Sequence, residues 1–94
     1  MNKKINKQLM KFPEYIVKKA ENLISIVNND NWSQFGHKIE RSTLISIPVT
    51  DNVRIVYNRV KCPKSYKDKE KELTFMIKLL GVFSHDDYDK LIMR

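Results

Sequence analysis

Histidine is the side chain whose ordinary pKa lies closest to neutrality, so it is the first candidate for proton transfer. The chain holds two, His37 and His85. His37 follows Gly36, and His85 opens the polar stretch His85-Asp86-Asp87-Tyr88-Asp89. Other reactive groups are scarce. Cys62, the single cysteine, precedes Pro63 in a lysine-rich stretch with no histidine beside it, and reads as a loop residue. A lone cysteine excludes a disulfide framework. Neither a His-x-x-x-His nor a Cys-x-x-Cys pair is present to hold a metal. Gly36 and Gly81 are the only glycines, so no glycine-rich loop can cradle a nucleotide. No serine sits in a nucleophile elbow. The chemistry open to such a set is acid–base catalysis without metal or cofactor.

Charge points to a class of partner. The 94 residues carry a formal net charge of +7, from 18 Lys and Arg against 11 Asp and Glu. The excess is spread over both halves of the chain, so no single tail explains it. A small basic protein of this kind commonly meets a polyanion, although solubility alone is the plain alternative. Hydrophobic residues make up 41% of the chain, enough for a core and against wholesale disorder. The length fits one domain. No apolar run approaches the roughly 20 residues that span a bilayer, and the basic start lacks the apolar core of a signal peptide. With one cysteine, a reducing compartment follows, and a cytoplasmic location is expected.

The elements that must position these groups can be read from periodicity. Ile5, Leu9 and Phe12 recur at helical spacing among Lys3, Lys4, Lys7 and Lys11. Pro13 suits a helix start and not a helix middle, so a second helix begins near it, with Glu14 in its first turn. Ile16, Ala20, Leu23, Ile24 and Val27 give this helix one apolar stripe, ended by Asn28-Asn29-Asp30-Asn31. The tight link predicts a helical hairpin. Trp32 and Phe35 follow in a loop and are expected to close the core, with base stacking as the weaker option. From Thr43 the period becomes two. Ile45, Ile47 and Val49 alternate with Leu44, Ser46 and Pro48, and the proline places this strand at an edge or a bulge. Asp51-Asn52 makes a turn. Val53, Ile55 and Tyr57 then alternate with Arg54, Val56 and Asn58. Cys62 to Lys71 reads as an exposed loop. Leu73 to Val82, the most apolar run, is expected to be the central strand. His85 to Arg94 is expected to form a short last helix with Tyr88, Leu91 and Ile92 facing inward. Helices grouped before an antiparallel sheet of three or four strands make an α+β domain.

Two stretches carry a resemblance. Thr50-Asp51-Asn52-Val53-Arg54-Ile55-Val56-Tyr57 resembles the strand written x-x-Tyr-Arg-Leu-Val-Tyr in toxins of the RelE/ParE superfamily. Leu79-Leu80-Gly81-Val82-Phe83-Ser84-His85-Asp86-Asp87-Tyr88-Asp89 resembles their C-terminal strand, which commonly ends Gly-(Thr/Ser)-His-x-x-(Tyr/Phe). The likeness is to the HigB and YafQ branches, and the helical hairpin before the sheet matches as well. Two departures stand out. Only four residues precede Ile5, so the family's first strand is short or missing. Phe83 separates Ser84 from Gly81 and Val82, so the turn before His85 differs by a residue.

The resemblance implies a bacterial toxin silenced by a cognate antitoxin. In the nuclease branches it implies entry into the ribosome and cleavage of messenger RNA. In the ParE branch it implies poisoning of DNA gyrase without catalysis. A nucleic-acid-binding protein of the same fold with no activity is the third reading. RNA cleavage without metal needs a base at the ribose 2′-hydroxyl, an acid at the leaving 5′-oxygen, and a cation for the charge gathering on phosphorus. On the family pattern Arg54 is that cation, since a guanidinium is forked and always charged. His85 is the general acid or base. Tyr88 stacks on a base or orients the phosphate. Glu40 or His37 is the candidate second proton-transfer group. Lys38, Arg41, Arg59, Lys78 and Lys90 are candidate phosphate contacts. The bland alternatives remain open here. Arg54 alternates with apolar neighbours and could face solvent, His85 could be paired on the surface with Asp86 or Asp87, and Tyr88 could belong to the core.

Overall fold

The computed structural model describes residues 3–61 and 75–92. Helix α1 spans Lys3–Leu9, α2 Glu14–Ile26 and the single turn α3 Trp32–Phe35. Strands β1 His37–Lys38, β2 Leu44–Thr50, β3 Val53–Lys61 and β4 Phe75–Ser84 follow, and α4 His85–Ile92 comes last. The strands form one antiparallel sheet in the order β1-β2-β3-β4. This is the α+β architecture that the grouping of helices before strands predicts. The expected loop from Cys62 to Lys71 lies outside the described residues, as does Leu73.

Each helix has a local cause. Ile5 and Leu9 are one turn apart and both buried, so α1 offers an apolar edge, which packs on β4. Pro13 caps α2 with an extended backbone, and Glu14 fills the first turn. Ile16 and Ala20 are buried on α2, which packs on β2. The helix ends in an Asx turn, where Asn28 Oδ1 accepts from the backbone N–H groups of Asp30 at 2.8 Å and Asn31 at 3.0 Å. Trp32 and Phe35 are half-buried and pack against the core, as expected, although they form a helical turn and not a loop.

Period-two alternation sends Ile45, Ile47, Val49, Val53, Ile55, Tyr57 and Val82 to one face, where they meet the helices in the core. Full burial of an isoleucine side chain stabilises by about 1.5–3 kcal/mol, and Ile45, Ile47 and Ile55 are each wholly buried. Pro48 is tolerated because the β2–β3 register shifts between Pro48 and Thr50. A second irregularity, between Val56 and Tyr57, puts an extra residue into β4. Without it β4 could not keep Leu79 and Val82 on the core side together.

Two expectations are corrected. The apolar run ending at Val82 is an edge strand, and β3 is central to the longer pairings. Its composition reflects cover and not position. The Val82 N–H donates to Gln8 Oε1 at 2.9 Å, and the Ile77 N–H donates to Asn29 Oδ1 at 2.7 Å. Side chains from α1 and the α2–α3 link thus satisfy edge groups that would otherwise recruit another strand. Ile92, expected to face inward, is 39% exposed. Tyr88 and Leu91 are half-buried. Among the described residues no helix is long and apolar enough to cross a membrane.

Gly36 closes α3 where β1 begins, and a Cβ there would sit 2.1 Å from the Ser46 carbonyl oxygen. That neighbour is backbone and cannot swing away. Gly36→Ala should therefore lower stability by about 1–3 kcal/mol. Gly81→Ala should cost less, because its Cβ would meet the side-chain amide of Gln8 at 2.6 Å, which can shift at the loss of its one hydrogen bond from Val82. Urea denaturation of both variants checks this, and an unchanged midpoint for Gly36→Ala would refute the close approach.

Candidate functional site

The same alternation that buries Val53, Ile55 and Tyr57 sends Arg54 to the opposite face of β3. There it lies between Pro48 on β2 and Phe83 on β4. Burial raises the pKa of the Tyr57 phenol above its ordinary 10.0, as befits a neutral core residue. β4 runs directly into α4 at His85. The helix starts here because Ser84 caps it, its Oγ accepting from the Asp87 N–H at 3.3 Å. Asp86 and Asp87 occupy the first turn, where negative charge suits the helix dipole.

α4 packs on β3 and β4 and brings Tyr88 to Arg54. The guanidinium carbon sits 5.5 Å from the centroid of the Tyr88 ring, within cation–π range. His85 lies one turn before Tyr88 on the same helix. Its Nε2 is 3.3 Å from Asp89 Oδ2, and the two side chains are 58% and 44% exposed. The carboxylate paired with His85 is therefore Asp89, and not Asp86 or Asp87. The i, i+4 spacing of His85 and Asp89 is the signal in the sequence for this pair. With Nε2 turned to Asp89, the ring has Nδ1 left for a ligand.

The other candidates separate by face and by end. His37 pairs in register with Ser46, and Ser46 with Val56, so His37 shares the Arg54 face. It stands two strands across and two residues along from Arg54, about 12 Å by sheet spacing. Glu40 lies in the β1–β2 connection, whose neighbours include Leu91 and Ile92, at the far end of α4 from His85. One α4 length separates them, about 10 Å at 1.5 Å per residue. Neither group joins the Arg54–Tyr88 pair. Lys78 pairs with Asn58 and shares the Arg54 face, about 13 Å along the strand. Lys38 pairs with Ile45 and Arg59 with Ile77, so both belong by register to the core side of the sheet. Arg41 is exposed in the β1–β2 connection, at a φ of 62°. Lys90 is exposed on the α4 face that looks toward α1.

Among the described residues no three His, Cys, Asp or Glu side chains gather into a metal-binding group. The site is an open surface of one guanidinium, one phenol ring and one imidazole–carboxylate pair. A guanidinium suits an anion, and an imidazole suits proton transfer. No family model, curated protein or solved structure matches the chain.

The Arg54–Tyr88 contact has a measurable size. A double-mutant cycle with Arg54→Ala and Tyr88→Leu should give a coupling of about 0.5–1 kcal/mol in unfolding free energy. A coupling indistinguishable from zero would mean that α4 does not hold Tyr88 against β3.

Proposed function

We propose that this protein is a toxin of the RelE/ParE kind, a cytoplasmic, metal-independent endoribonuclease that cuts messenger RNA on the ribosome and is silenced by a partner antitoxin. The observation that carries the reading is the meeting of Arg54 and Tyr88. They come from the two stretches that resemble this superfamily, and they lie 34 positions apart in the sequence. His85, from the second stretch, is one helical turn away.

The chemistry follows from the groups. The ribose 2′-oxygen attacks the adjacent phosphorus as its proton passes to solvent water, the bond to the 5′-oxygen breaks, and a cyclic phosphate remains. Arg54 neutralises the negative charge that builds on the phosphoryl oxygens. Its fork is held in place by the Tyr88 ring, so little rotamer freedom is lost on binding. His85 donates a proton from Nδ1 to the departing 5′-oxygen, while Asp89 on Nε2 fixes the ring. Tyr88 keeps its hydroxyl and one ring edge for the neighbouring nucleotide.

Cleavage of a messenger in a reconstituted translation system tests this. The wild type should cut only when ribosomes are present. His85→Ala should slow cutting about 10²–10⁴-fold, and Arg54→Ala about 10²–10³-fold, with both variants folded by circular dichroism. A folded wild type that leaves the message intact would overturn the reading. Inhibition of gyrase supercoiling by that same sample would point to the ParE type of action.

A further inference from the structure

A second surface feature outside the Arg54 site is the cleft between α1 and α4, across the outer edge of β4. It has a volume of about 270 Å³, and Gln8, Lys11, Phe12, Phe83, Asp87 and Lys90 line it. Phe12 and Phe83 are half-buried, so each keeps part of a ring exposed. Lys11 and Lys90 stand exposed on its two sides. Among the described residues neither lysine forms an ion pair.

Lys3 and Lys4 sit at the positive end of α1, where no acidic residue occupies the first turn, whereas Lys7 lies in its last turn. Lys11 comes two residues after the helix ends at Leu9, in the turn that leads to Pro13. Gln8, which lines the cleft with Lys11, is fixed to the β4 edge by Val82. Lys11 is therefore held beside the cleft by the α1–β4 packing.

Two half-exposed phenyl rings between lysines match what a single RNA strand needs: stacking for a base and cations for the phosphates beside it. The size suits one base. Asp87 adds an acceptor, and Gln8 has amide hydrogens left after its carbonyl accepts from Val82. We propose that the α1–α4 cleft is a nucleotide subsite for single-stranded RNA, with a base against Phe12 and Phe83 and its flanking phosphates on Lys11 and Lys90. α4 connects it to the Arg54 site, since Asp87 and Lys90 project on the helix face next to that of His85 and Tyr88. The inference deepens the nuclease reading, and its RNA-binding part stands apart from cleavage.

The test uses the full chain and a fluorescein-labelled ten-nucleotide uridine RNA, read by anisotropy over a range of salt, without ribosomes. The double variant Lys11→Gln, Lys90→Gln should bind at least about tenfold more weakly at low salt. Its slope of log affinity against log salt should shrink by about 1.4, near 0.7 for each phosphate no longer neutralised. Phe12→Leu, which keeps the apolar packing, should weaken binding about threefold or more with the slope unchanged, because base–aromatic stacking is lost. Affinity and slope equal to wild type in the lysine variant would overturn the subsite. Equal displacement of the RNA by poly-aspartate of matching charge, with Phe12→Leu unaltered, would also overturn it and leave the cleft as a seat for an acidic protein. Binding as expected with no ribosome-dependent cleavage would sink the nuclease reading and keep the subsite. Cleavage with no effect of the variants would do the reverse.

Discussion

Alternation along β3 is the constraint on which the rest depends. A strand turns successive side chains to opposite faces, so burial of Val53, Ile55 and Tyr57 leaves Arg54 no choice of side. The three apolar residues anchor the strand by several kcal/mol, by the usual value of buried apolar area. The guanidinium is carried to the other face by that anchoring and not by any contact of its own. The shift between Pro48 and Thr50 and the extra residue in β4 then set the pairing on either side. A slip of one residue would place Arg54 in the core and take Ile55 out of it, which is why the register is firmly held.

α4 is the second determinant. It begins at the last residue of β4's pairing, with Ser84 as cap, so its position is fixed by the sheet. Two turns are enough to present two different surfaces. One carries Tyr88 to Arg54, with the exposed His85–Asp89 pair beside it, and the adjacent one carries Asp87 and Lys90 toward α1. The helix buries no residue completely. Its hold on the sheet therefore comes from half-buried Tyr88 and Leu91, the cap and the contact with Arg54.

Much of the architecture is legible in the residues. The change from a period near 3.6 to a period of two after Thr43 marks where helices yield to strands. Pro13, Asn28 and Asp51-Asn52 mark the breaks for reasons of backbone chemistry. Other features carry no such mark. β1 is two residues long, too short for any period to mark His37 and Lys38 as strand. An apolar run cannot distinguish a central strand from an edge strand whose N–H groups are taken by Gln8 and Asn29, because that cover comes from residues far away in sequence. The site is legible in part. Arg54, His85 and Tyr88 stand out through the two resembling stretches, and the fold brings Arg54 to Tyr88. The separation of Glu40 and His37 from them depends on three-dimensional spacing that no local pattern encodes. Adjacency in sequence points from His85 to Asp86 and Asp87, whereas helical geometry favours the fourth residue, Asp89, over the first or second.

The account turns on Arg54, Tyr88 and His85 forming one surface that receives an RNA phosphodiester. The most direct measurement is nuclear magnetic resonance of the protein titrated with a short RNA whose 2′-hydroxyls are methylated, which binds without being cut. The Arg54 side-chain Nε–H, the His85 ring and the Tyr88 ring signals should move together, saturating at one RNA concentration, while the His37 ring stays still. Movement of His37 alone, or of Arg54 without His85, would contradict the account.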